Sequence, residues 1–220
     1  MDYLKEKYRY LLRKKYNERN RKNLNIDENN PVSIISSNCI GGVILHELGM
    51  KFNTPTINLY FEPHSYLKFI ESLKYYCSLR IMEEIPFDIE HNYPRGMLDG
   101  DVIIHFLHYN TFEEACNKWM ERCQRINFEN LYFILAERDG LSYEQIKKFD
   151  LLELSGKKIL LTCNEYKTVK NSYNFGEQCK DPLTGQLIDL CQYTGKFTGK
   201  RYIDKFNYID FLNLSEENTK

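Results

Sequence analysis

The sequence has no C-x-x-C pair, no G-x-G-x-x-G and no G-x-x-x-x-G-K-[ST]. It also has no apolar run near the ~20 residues that a membrane-spanning helix needs. Each absence narrows the field. Seven cysteines without paired spacing read as reduced, mostly buried thiols of a cytosolic protein, not as a disulfide framework or a zinc site. The first residues lack the apolar stretch of a secretory signal. A net charge of −1 gives no overall pull toward nucleic acid, so no nucleic-acid partner is expected. The familiar nucleotide-binding motifs do not apply.

What is present is an ordinary globular composition, 42% apolar and 28% charged, unusually rich in tyrosine (17) and phenylalanine (13). At 220 residues it suffices for one sizeable core. The expected division is a basic helix and polar linker over 1–29, a single α/β domain over 30–212 and a tail over 213–220. Residues 2–22 carry nine basic and three acidic side chains, with Leu4, Tyr8, Leu11, Leu12 and Tyr16 along one apolar stripe. Such a helix can dock on the domain with a solvated charged face. It can also lie on an anionic membrane surface, a peripheral contact with the inner membrane or with polysaccharide machinery.

Val32–Ile35 reads as a buried strand, and Val43, Ile44, Leu45 and Leu48 as a helix capped by Gly49. Thr56–Phe61 reads as a second strand, which makes a βαβ unit. The turn between them, Ser37-Asn38-Cys39-Ile40-Gly41-Gly42, admits two readings. It can cradle an anion at a helix N-terminus, or it can be a tight turn that needs glycine. Cys39 there is a weaker candidate nucleophile, since a helix N-terminus lowers a thiol pKa.

Residues 66–77 give one core-facing helix begun by Pro63 or Ser65. Residues 80–100, with Pro86, Pro94 and Gly96, read as irregular. Asp99-Gly100-Asp101 matches the D-x-D pattern that holds Mg²⁺ or Mn²⁺, although it precedes its strand instead of following it. The third strand is Val102–Phe106, extended through His108 and Tyr109. Its two histidines, His105 and His108, would point to opposite faces. His108 and Tyr109, at the strand's C-terminal end, are the preferred site candidates.

Thr111 and Glu114 make a capping box for the helix over 111–126. There Lys118, Arg122 and Arg125 share one edge, able to grip a phosphate or to form i, i+4 pairs. Asn130–Ala136 and Lys157–Cys163 read as buried strands. Glu137-Arg138-Asp139-Gly140 places carboxylates at the end of the first, either as site residues or as a turn. A short helix capped by Ser142 lies between them. Thr194-Gly195-Lys196 and Thr198-Gly199-Lys200 read as a basic hairpin tip or loop. Residues 201–212 read as a terminal helix.

The run Ser37–Gly42, Thr54-Pro55-Thr56-Ile57-Asn58-Leu59, Tyr93-Pro94-x-Gly96, Ile104–Tyr109, Phe112–Ala115 with Lys118-Trp119, Arg122, Arg125–Asn127 and Asn130-Leu131 resembles the bacterial family of the domain of unknown function nineteen-nineteen. Its members are often labelled exopolysaccharide biosynthesis protein. The resemblance implies a three-layer α/β/α sandwich, here expected around a mostly parallel or mixed sheet of about five or more strands. It also implies a place in surface (exo-, capsular or lipo-) polysaccharide synthesis, without supplying catalytic residues. The resulting expectation is a cytoplasmic, glycosyltransferase-like enzyme acting on a nucleotide sugar or other phosphate-bearing donor. Ser37, Asn38, Cys39, Gly41, Gly42, Asn58, Tyr109, Lys118, Arg122 and Arg125 would bind ligand, His108 or Asp139 would be the general base, and Asp99 and Asp101 would hold a metal. The alternative is a non-catalytic sugar-phosphate-binding or scaffold protein.

Overall fold

The computed structural model describes residues 2–80 and 82–213, so residues 214–220 of the expected tail lie outside it. In chain order the elements are α1 (Asp2–Asn23), β1 (Ser33–Ser36), α2 (Ile40–Glu47), α3 (Pro63–Glu71), α4 (Leu73–Ser78), β2 (Glu83–Ile85), β3 (Arg95–Leu98), β4 (Val102–His105), α5 (Phe112–Cys123), β5 (Leu131–Ala136), α6 (Tyr143–Leu151), β6 (Gly156–Thr162), β7 (Ser172–Asn174) and α7 (Tyr208–Asn213).

Four strands form a parallel sheet in the order β1-β5-β6-β7. Every residue of β1 and β5 is buried, which is why both read as unbroken runs without alternation. One face of the sheet packs Phe133, Leu135 and Leu160 against α3 to α6. Trp119 sits at the centre of that layer, with its ring 5.4 Å from Phe69 and 6.2 Å from Phe61. The opposite face packs Tyr132, Ile134 and Leu161 against Ile44 and Leu45 of α2 and against residues 203–212. The layers are those of an α/β fold.

The sheet is not one body of five or more strands. β2, β3 and β4 form a separate three-stranded antiparallel sheet. Residues 80–100, expected to be irregular, hold two of its strands. Asp99 and Gly100, both at positive φ, make the tight turn that joins β3 to β4.

The expected strand over Thr56–Phe61 is absent. Pro55 lacks an N–H, and Asn58 takes a left-handed φ of 62°. Thr56 replaces the ladder with its side chain: its Oγ1 accepts from Ser36 N at 3.1 Å and donates to Ile34 O at 3.4 Å. Of this segment Tyr60 alone forms a β-bridge, antiparallel to His105, while Phe61 N donates singly to Ser37 O at 2.9 Å. The helix expected over 66–77 breaks at Ser72, where ψ is 44°. The expected terminal helix is a 3-10 turn over Tyr202–Lys205 followed by α7.

α1 is joined to the domain rather than appended to it. Arg13, 5% exposed, pairs with Glu47 of α2 and with Asp204, and Asn20 donates to Tyr208 Oη at 2.8 Å. Arg201 Nε closes the cluster 3.0 Å from Glu47 Oε1. No helix among the described residues is long and apolar enough to cross a membrane.

Candidate functional site

The turn after β1 is filled by its own chain. Ser37 N donates to Ile134 O at 2.9 Å, Ser37 Oγ accepts from Ala136 N at 3.3 Å, and Asn38 Oδ1 accepts from Ile40 N at 3.1 Å. A Cβ on Gly41 would meet Ile34 Cγ2 and Ser36 Cβ, each at 2.9 Å, and one on Gly42 would meet Ile57 Cδ1 at 3.0 Å. The glycines therefore let α2 approach β1, not a ligand approach the backbone. Burial, helped by Asp189, raises the Cys39 thiol pKa; the expected activation as a nucleophile is reversed.

Of the three cations expected on one helix edge, Arg125 lies just past the end of α5, and only Arg122 reaches this region. Lys118 and Arg125 both turn to Glu121, at 2.9 and 3.2 Å. Thr111 caps the helix as expected, by accepting from Glu114 N at 3.2 Å. Arg122 donates to the hydroxyl of Tyr109, which itself donates to Ile57 O at 3.2 Å. Arg122 borders a cavity of about 230 Å³ together with Cys39, Gly42, His46, Asn58 and Arg201. A larger cavity of about 840 Å³ lies at the opposite, N-terminal end of β6. Of its two lining lysines, Lys158 is held by three carbonyls at the end of α6 and Lys157 lies over the Tyr132 ring, so size and chemistry point to different places.

Asp99 and Asp101 are both taken up by protein donors. Asp101 accepts from Lys68 Nζ at 2.8 Å and from Tyr76 Oη at 3.0 Å, and Asp99 accepts from Tyr75 Oη at 2.6 Å. Among the described residues no three His, Cys, Asp or Glu side chains come together as metal ligands.

His108 is exposed beyond the end of β4. The histidine set in a site is His105, which spacing alone ranked lower. The backbone bridge between Tyr60 and His105, 3.0 Å in both directions, forces their side chains together. The rings stack at 4.4 Å. Tyr60 Oη lies 2.8 Å from Tyr93 Oη, which lies 3.3 Å from His105 Nδ1. His91 stands 5.4 Å from the His105 ring and is held by Asp88 at 2.8 Å. Burial, then the charges of His91 and Arg95, lowers His105 to a pKa of about 4. The neutral ring's Nε2 is buried without a hydrogen-bond partner, 3.7 Å from Glu62 Oε1. That approach is not an ion pair at neutral pH.

Glu62 occupies the N-cap position of α3 yet does not cap it. Asp139, at φ 56° just past β5, lies near enough to feel the Glu62 charge. Asp139 is exposed at the surface, yet desolvation by the surrounding protein raises its carboxyl pKa; Arg138 pulls it down, and Glu62 raises it further. Both carboxylates also raise Tyr60, after burial and Tyr93. Glu137 is different: it is buried and accepts from Cys163 N at 2.8 Å, Asn164 Nδ2 at 2.6 Å and Tyr166. It clasps the end of β6 and is not free for chemistry. The carboxylates Asp139 and Glu62, the pair Tyr60 and Tyr93, and His105 thus gather beyond the C-terminal ends of β1 and β5, where open α/β sheets bind ligands. No spacing in the sequence announces this, because Glu62, His105 and Asp139 come from three separate segments.

A family described as Domain of unknown function (DUF1919) matches residues 7–213. The chain belongs to this family. An uncharacterized protein of Haemophilus influenzae is 33% identical over 189 residues, covering 84% of this chain and 85% of its own length. The DUF1919 match takes in α1 as well as both sheets, in line with the contacts that join the helix to the domain.

Proposed function

We propose that this protein is an enzyme of surface polysaccharide biosynthesis that transfers a glycosyl or related group from a phosphate-bearing donor to an acceptor hydroxyl. The observation that carries the chemistry is the pairing of Asp139 and Glu62 beside the Tyr60–Tyr93–His105 wall. The pathway rests on the family resemblance, and a nucleotide-sugar donor would place the work in the cytoplasm. Asp139, tuned upward toward neutral pH, takes the proton of the acceptor hydroxyl as that oxygen attacks the donor carbon and the phosphate leaves. Glu62 orients the acceptor, and the tyrosines offer ring faces and hydroxyls to a sugar.

Arg122 holds the donor's anionic end, since its fork suits phosphate and none of the ion pairs found among the described residues engages it. Its cavity of about 230 Å³ is below the roughly 300–1,000 Å³ of whole-ligand pockets. It accommodates the phosphate and leaves the sugar outside. The rival reading, a sugar-phosphate-binding scaffold, is favoured by that same preformed cavity, which needs no catalytic group.

The test is a thermal-shift panel of nucleoside diphosphates and their sugar conjugates on the wild type, Arg122→Gln and Asp139→Asn. Binding at one hundred times Kd stabilises by about 2.7 kcal/mol, a shift of roughly 5–11 °C for a chain this size. Arg122→Gln should abolish the shift. Asp139→Asn should keep the shift and lose turnover; unchanged turnover in that variant would remove Asp139 as the base, and a shift with no turnover in the wild type would leave only the scaffold. No shift with any compound at millimolar concentration would remove both readings.

A further inference from the structure

Helical spacing splits α1 into two faces, and the structure uses only one of them. The inner face is held: Arg9 Nη2 donates to Lys196 O at 3.0 Å and its guanidinium lies 4.5 Å over Tyr193, while Arg13 and Asn20 are buried in the domain. The outer face carries Leu4, Tyr8 and Leu11, which are 70%, 51% and 49% exposed. These are the first three members of the apolar stripe that sequence alone would bury. Lys7, Lys14 and Lys15, all exposed, interleave with them. Glu6, the one acid between residues 4 and 15, projects on the other side of the helix.

A second element completes the surface. The T-G-K repeats form the expected hairpin tip, with Thr194 N donating to Lys200 O at 2.9 Å. A Cβ on Gly199 would come within 2.6 Å of Arg13 N and 2.7 Å of Leu12 Cβ, so only glycine lets the tip rest on the helix backbone. The tip then presents Phe197, 64% exposed, with Lys5 Nζ 6.0 Å from its ring centre. Exposed Lys196 stands beside it.

We infer that the outer face of α1 and the 194–200 tip together dock on an anionic lipid bilayer. Leucine and aromatic side chains interleaved with lysines suit a surface that is negatively charged outside and apolar a few ångströms below. Nucleic acid would use the lysines but not Leu4, Leu11 and Phe197. The chain's net charge is only −1, so the basic helix is balanced by acid elsewhere, and an anionic surface would orient the molecule with α1 toward it. This assigns a location and stands apart from the transfer chemistry.

The experiment is flotation of the full chain with phosphatidylcholine vesicles, with and without phosphatidylglycerol, at low and high salt. Binding is expected only to the anionic vesicles and should weaken with salt. Lys7→Gln/Lys14→Gln/Lys15→Gln should lower partitioning about a hundred-fold, from about five-fold per basic residue. Leu11→Asp and Phe197→Ser should also release the protein. Lys51→Gln/Lys167→Gln/Lys170→Gln, an equal charge change elsewhere, should leave binding unchanged. Thermal unfolding of each variant confirms that it is folded. Absence of binding to anionic vesicles, equal loss in both lysine triples, or a concentration-dependent dimer broken by Leu11→Asp would overturn the inference.

Discussion

The cluster around Arg13 and the cluster around His105 each centre on a buried side chain, and they follow opposite rules. Around Arg13 each charge meets its opposite: Arg13 and Arg201 share Glu47, and Arg13 also holds Asp204. Around His105 the set is left open. The His105 Nε2 has no hydrogen-bond partner, Glu62 is 57% exposed and does not cap its helix, and Asp139 is held near its like-charged neighbour. A closed set of charges fastens one element to another. An open set keeps groups ready for something that is not protein, and natural proteins tolerate such groups chiefly where they act.

The sharpest way to break this comparison is Arg13→Ala. It leaves the buried Glu47 with Arg201 and takes Arg13 from Asp204, and the expected loss is toward the lower end of about 3–5 kcal/mol of unfolding free energy in chemical denaturation. A loss below about 1 kcal/mol, the range of an exposed pair, would show that the cluster does not fasten α1.

Next is the acid response of His105. Its folded pKa of about 4 lies below its ordinary 6.5, so the folded state binds fewer protons. Its contribution is complete above pH 6.5 and is lost as pH falls from there to about 4, by about 3 kcal/mol. Urea unfolding followed across that window should show the fall, and His105→Gln should flatten it. A parallel fall in the variant would assign it to other groups.

The smallest expected effect on stability is that of Asp139→Asn. A raised carboxyl pKa means that stability present at acid pH is lost as pH rises through the folded value. The amide escapes that loss, so the variant should melt slightly higher at neutral pH and like the wild type in acid. If Asp139 is the general base, its turnover should fall by roughly 10²–10⁴-fold. A destabilised variant at neutral pH would place Asp139 with the closed set.

Much of the frame was legible in the sequence because local signals agreed with burial. β5 and β6 stood out as apolar runs, Thr111 and Ser142 as caps, and Ser142 with Gln145 forms a complete capping box. The failures have physical causes. Thr56 makes with its hydroxyl the hydrogen bonds that a strand makes with its backbone, so an extended apolar segment imitates a strand. Pro86 and Gly96 disguised β2 and β3, whose antiparallel pairing depends on a partner beyond any local window. Of the candidates read from charge, position or resemblance, the structure sets Arg122 and Asn58 on one cavity and Asp139 just past β5. His105 was ranked below His108 because only the Tyr60 bridge, 45 residues away, shows what surrounds it.

The clasp between Arg13 and Asp204 joins residues 191 positions apart. During synthesis Glu47 comes within reach early, but Gly199, Asp204 and Tyr208, which complete the hold on α1, emerge only after almost the whole domain. Contacts of such long range form late, and they slow folding through the entropy of closing the loop. Until residues 199–204 arrive, the buried guanidinium, the cations of the inner face and the leucines of the outer face are all exposed on one nascent helix. α1 therefore spends its early life as a free amphipathic cation, able to meet an anionic surface before the fold that will later orient it is complete.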